Sequence, residues 1–86
     1  MLTSHAHQRM QQRAIPMASI ELLLTFGQSD FHRGCEVVFF GKQAWQRVTQ
    51  AMRTVPERFR NHYLVLHGGE VVTVGHRCKH FKRDRR

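Results

Sequence analysis

Between residues 62 and 77, apolar and polar positions alternate on either side of a glycine pair. His62-Tyr63-Leu64-Val65-Leu66-His67 and Glu70-Val71-Val72-Thr73-Val74-Gly75-His76-Arg77 are rich in β-formers, and Gly68-Gly69 suits a two-residue turn at positive φ. The pattern predicts a β-hairpin. Regular alternation puts Leu64 and Leu66 on one face, and Tyr63, Val65 and His67 on the other. On the return strand it groups Val72, Val74 and His76 against Val71, Thr73, Gly75 and Arg77. A second β-rich run, Cys35-Glu36-Val37-Val38-Phe39-Phe40, is bounded by Gly34 and Gly41. It is largely apolar on both faces, which predicts an inner strand. The polar stretch 28–34 reads as a turn, with a segment around residues 30–33 placed to pair with that strand.

Elsewhere the period is helical. In residues 4–14, Ala6, Met10 and Ala14 form a small apolar stripe, beside a stripe of His5, Arg9 and Gln12/Arg13. Ser4 is the expected N-cap. Ile15-Pro16 ends this helix and starts a second. There Met17, Ile20, Leu23 and Leu24 are expected in the core, and Gly27 is expected at the C-cap. Residues 42–55 carry Ala44, Trp45, Val48, Ala51, Met52 and Val55 at helical spacing, and Pro56 stops the pattern. Trp45 is read as the packing anchor of this third helix, with base stacking as the alternative. Residues 56–61 form a charged loop and residues 78–86 a basic tail. The order predicts one α+β domain over residues 1–86, an N-terminal helical hairpin packed on a small three- or four-stranded antiparallel sheet.

At 86 residues with 41% apolar side chains, the chain supports one modest core. No apolar run approaches the roughly 20 residues of a membrane span, and the start lacks the basic-then-apolar order of a secretory leader. The expectation is a soluble, cytoplasmic protein. Two cysteines, Cys35 and Cys78, do not make a disulfide framework, and Cys35 is expected as a buried thiol. Charge alters the picture more. The net charge is +8, and six of the fourteen Lys and Arg side chains fall in the last ten residues. Such clustering predicts a polyanionic partner, with RNA or DNA ahead of an acidic protein.

Three stretches together resemble a family of small bacterial domains of unknown function. The family pattern reads H-A-x-x-R-M-x-x-R-G-I, an apolar helix ending in glycine, and a hairpin ending in v-v-T-v. Here these stand as His5-Ala6, Arg9-Met10 and Arg13-Ala14-Ile15; as Ile20-Glu21-Leu22-Leu23-Leu24 with Gly27; and as Val71-Val72-Thr73-Val74. Ala14 replaces the usual glycine, so the helix end there needs another account. The stretch 41–60 carries no part of the resemblance. These domains resemble BrnT and RelE-like toxins of the barnase–EndoU–colicin–RelE fold. The resemblance implies N-terminal helices against an antiparallel sheet, an RNA site on or beside the sheet, and an acidic antitoxin as partner. Shared fold alone does not make a nuclease.

A metal-independent ribonuclease needs an acid and a base around the 2′-hydroxyl and cations for the phosphorane charge. Histidine and arginine suit these roles. The candidate catalytic residues are His5, Arg9, Thr73 and Arg77, and the candidate RNA-binding residues are Arg13, Tyr63, Lys79, Lys82 and Arg83. His5 and Arg9 equally suit a structural pair, and His7 reads as surface. His76, Cys78 and His80, with Cys35 as a fourth ligand, lack a standard zinc spacing. The six acidic residues show no paired-carboxylate spacing for a two-metal site, and no phosphate-binding glycine loop is present. No metal or cofactor is expected. The leading expectation is a toxin-like endoribonuclease. The alternatives are a non-catalytic nucleic-acid binder, with Phe81 and Trp45 for stacking, and a protein-interaction module for an acidic partner. The sequence leaves the oligomeric state open.

Overall fold

A computed structural model describes residues 1–77. The expected basic tail, with Lys79, Lys82 and Arg83 and with Cys78, His80 and Phe81, lies outside the described residues. The elements run α1 (Ser4–Gln12), α2 (Met17–Phe26), β1 (Gln28–His32), β2 (Cys35–Phe39), α3 (Lys42–Ala51), a 3₁₀ turn (Glu57–Asn61), β3 (His62–His67) and β4 (Glu70–His76). The four strands form an antiparallel meander in the order β1-β2-β3-β4. The α+β expectation holds, and the sheet has four strands. β2 is an inner strand as the apolar run implied, and the edge segment expected to pair with it is a longer strand that starts at Gln28, within the stretch read as a turn.

Thr3, not Ser4, caps α1: its hydroxyl accepts from the Ala6 amide at 3.1 Å. Thr3 takes this role because it is extended and already tied to the sheet, its own amide donating to the Val71 carbonyl at 3.0 Å. At the other end Ala14 adopts φ +55°, the left-handed turn for which a glycine is usual. The Ile15 amide donates back to the Met10 carbonyl at 2.9 Å, and the Ala14 amide to Gln11 at 3.4 Å. These two bonds close the helix as a glycine-ended helix would close, without the glycine. Since α1 stops at Gln12, Ala14 leaves the apolar stripe and is exposed, while Ala6 is buried.

α2 buries Ser19, Ile20 and Leu23. Met17 and Leu24 are exposed, against the expectation of core, because the buried stripe is narrow and these two fall outside it. Gly27 caps α2 in an extended conformation, not a left-handed one; a Cβ there would stand 2.6 Å from both the Leu23 carbonyl oxygen and Val38 Cγ1. α3 ends at Ala51, four residues before the expected stop, and Met52 is extended at φ −114°, ψ 131°. Pro56 drives only Val55 from helical geometry, so it does not account for the end at Ala51. Residues 57–61 wind as a 3₁₀ turn where a loop was expected, which buries Phe59.

One core cluster joins Ala6, Ile15, Ile20, Leu23, Val38, Phe40, Ala44, Trp45, Val48, Phe59, Leu64, Val71 and Val74. Trp45 is 6% exposed and packs edge-on against Phe40 at 5.3 Å, so it is an anchor and not a stacking surface. His62 also lies in this interior, where its Nδ1 shares a 2.6 Å hydrogen bond with Ser19 Oγ. Among the described residues, no helix is long and apolar enough to cross a membrane.

Alternation holds on β3 but breaks on β4. Leu64 faces Val74 and Val65 faces Thr73, yet Leu66 faces Val71, so Val72 bulges out of register. Val71 therefore turns into the core beside Val74, where unbroken alternation put Val72. The outer margin of β4 is also met at Val71. Leu2 bridges Val71 in parallel, and the Val71 amide donates to the Met1 carbonyl at 2.8 Å.

Candidate nucleic-acid interface

The helices pack on the face that carries Val38, Leu64 and Val74. No described element covers the opposite face. Register and alternation arrange it in cross-strand rows. The first row is Gln28, Phe39, Tyr63 and Gly75; the second is Asp30, Val37, Val65 and Thr73; the third is His32, Cys35 and His67. The face thus grades from aromatic through aliphatic to imidazole and thiol. Phe39, Val37, Tyr63, Val65 and Thr73 are all half-buried.

Gly75 shapes the first row. A Cβ at Gly75 would stand 2.8–3.0 Å from Tyr63 Cε1, Oη and Cζ, so the tyrosine ring lies against bare backbone. Beyond it, the Arg77 guanidinium sits 4.8 Å over the centre of the Phe39 ring, and Nη1 donates to the Phe40 carbonyl at 3.0 Å. The Arg77 amide donates to Asn61 at 2.6 Å, which anchors the end of β4. Burial, and then the neighbouring Arg60, lower the Arg77 pKa from its ordinary value. Thr73, Gly75 and Arg77 share one face, as alternation implied.

At the far end of the face, Cys35 Sγ lies 3.8 Å from His67 Nδ1, which is also 3.3 Å from the Gly34 carbonyl. Cys35 is a free thiol and half-buried, not the buried apolar residue expected. Among the described residues, no group of three or more His, Cys, Asp and Glu is disposed to hold a metal ion.

His5 and Arg9 stand on α1, in the helical layer. The Arg9 Nε–H donates to His5 Nε2 at 3.4 Å, which leaves that imidazole nitrogen as an acceptor. Their spacing of one helical turn is what made them neighbours in the sequence. Arg13 is the C-cap of the same helix and is exposed, and His7 is exposed as expected. The predicted residues therefore form two groups. His5, Arg9 and Arg13 belong to α1, whereas Tyr63, Thr73 and Arg77 belong to the open face of the sheet. Phe39 was missed. Its one sequence signal was a place on an inner strand with apolar residues on both faces. No family model, curated protein or solved structure matches this chain.

Proposed function

We propose that this chain is a toxin-like, RNA-acting domain of the cytoplasm that receives RNA on the open face of its sheet. The carrying observation is Phe39 beside Tyr63 in one cross-strand row, with the Arg77 guanidinium stacked over Phe39, on a face that no described helix occupies. Unpaired bases stack on such rings and on guanidinium planes, and phosphates take charge-assisted hydrogen bonds from arginine. The +8 net charge supplies the long-range attraction and suits an acidic antitoxin as a competitor for the same face.

His5 and Arg9 support a metal-independent endoribonuclease. Once an RNA phosphate draws Arg9 away, the freed lone pair of His5 Nε2 can take the 2′-hydroxyl proton, while the guanidinium groups bear the phosphorane charge. The separation of this pair from Tyr63, Thr73 and Arg77 favours a second reading, a non-catalytic RNA-binding module. Total RNA incubated with the protein in excess chelator, beside His5→Ala and Tyr63→Ala, tests both. The enzyme predicts cleavage that survives chelator and is lost in His5→Ala. The binding module predicts no cleavage, with single-stranded RNA affinity that falls with salt and drops about tenfold in Tyr63→Ala. The absence of both cleavage and binding at physiological salt would overturn the proposal.

A further inference from the structure

β1 is an edge strand with every residue exposed, and its outer margin is open among the described residues. Proteins usually blunt such edges with lysine, proline or a bulge. β1 has none of these: its sequence is Gln-Ser-Asp-Phe-His, and it pairs with β2 without a register break. It also presents Phe31 at 77% exposure, the most exposed large apolar side chain in the chain's described core and strands.

The direction of its free backbone groups follows from the turn. Arg33 and Gly34 are both at positive φ, +52° and +81°, and they link His32 to Cys35 as a two-residue hairpin turn. Such a turn closes on a pair that exchanges both backbone hydrogen bonds. His32, Asp30 and Gln28 therefore spend their amides and carbonyls on β2. Ser29 and Phe31 turn theirs outward.

We infer that β1 pairs antiparallel with β1 of a second copy of this chain, about a two-fold axis through Phe31. In that register the two Phe31 residues exchange both outward hydrogen bonds. Asp30 of each copy then faces His32 of the other, twice over, so each carboxylate can accept a hydrogen bond from an imidazole N–H. An axis through Asp30 would also pair the outward groups of Ser29 and Phe31, but it would set carboxylate directly against carboxylate. An axis through Ser29 satisfies the backbone but places Asp30 against Gln28. All three registers keep the backbone ladder in step, and the Phe31 register is the one that opposes each carboxylate to an imidazole. The product is an eight-stranded sheet with all helices on one side. The two open faces lie together on the other, about 34 Å across at the usual strand spacing of about 4.8 Å.

Charge exchange tests the register. Sedimentation equilibrium over a wide range of concentration, at neutral pH and low salt, should show a reversible dimer of the native chain. Asp30→Arg and His32→Asp should each weaken it at least tenfold, and the double exchange Asp30→Arg with His32→Asp should restore it. Phe31→Lys should give a monomer whose thermal midpoint matches that of the native chain at concentrations too low for it to dimerise, since the side chain makes no core contact. In a chain with Cys35 and Cys78 replaced by serine, Phe31→Cys should oxidise to a covalent dimer. A native chain that stays monomeric at millimolar concentration overturns the inference. So does a dimer that survives Phe31→Lys, or one that the double exchange does not restore. The result is independent of RNA and stands whether or not the chain binds RNA.

Discussion

Ser19 and His62, 43 residues apart in sequence, meet in the core through a hydrogen bond of 2.6 Å between Oγ and Nδ1. The imidazole is 1% exposed, packed 5.5 Å from the Phe59 ring and 4.9 Å from that of His76. Burial, then His76 and Arg58, lower its pKa from 6.5 to about 4. The folded chain thus holds a neutral histidine inside.

Acid should therefore unfold this protein through His62. Above pH 6.5 the ring is neutral folded and unfolded alike, and it adds no pH dependence. Between 6.5 and about 4 the unfolded chain takes up the proton and the folded chain does not. Stability then falls by up to about 1.4 kcal/mol per pH unit, to a ceiling of about 3 kcal/mol. Urea denaturation at a series of pH values measures this slope. Ser19→Ala should cost about 1–3 kcal/mol at neutral pH by stranding the ring nitrogen. The paired change Ser19→Ala with His62→Phe should remove this part of the acid sensitivity.

Ala14 points the other way, towards a gain. It holds φ +55° at a helix end where a β-carbon is unfavourable. Ala14→Gly should raise stability by about 0.5–1 kcal/mol, the relief of strain exceeding the added freedom of the unfolded chain. The side chain is exposed, so no packing is lost. A lower urea midpoint for the variant would contradict this account.

Gly75 and Tyr63 are coupled by contact. A methyl group at Gly75 would meet the tyrosine ring at 2.8–3.0 Å. Gly75→Ala should displace the ring and cost about 1–3 kcal/mol. In the Tyr63→Ala background the same change should cost much less, since the clash is gone. If the open face binds RNA, Gly75→Ala should weaken that binding as well, which anisotropy of a labelled single strand would record.

Sequence periodicity revealed some of this molecule and could not reveal the rest. The β3–β4 hairpin was plain because Gly68 and Gly69 mark its turn and β-formers flank it. The bulge at Val72 was hidden, since alternation assumes one residue opposite one, and so Val71 was placed on the wrong face. β1 carried no apolar alternation because it buries nothing, and only its pairing with β2 defines it. The His5–Arg9 pair was legible from a four-residue spacing on one helix. The contact of Arg77 with Phe39 was not, because it reaches across strands that the chain visits far apart. Nor could composition foretell that Ser19 and His62 would satisfy one another.

Leu2 gives the fold a direction. By bridging Val71 it occupies the outer margin of β4 at that position, while no described residue pairs with the outer margin of β1. A sheet with two sticky margins propagates without limit, as fibrils do. A sheet with one can be joined only once, after which both ends of the pair are sealed. Residues 1–3, ahead of the first helix, thus favour the closed pair proposed above over an open-ended stack of sheets.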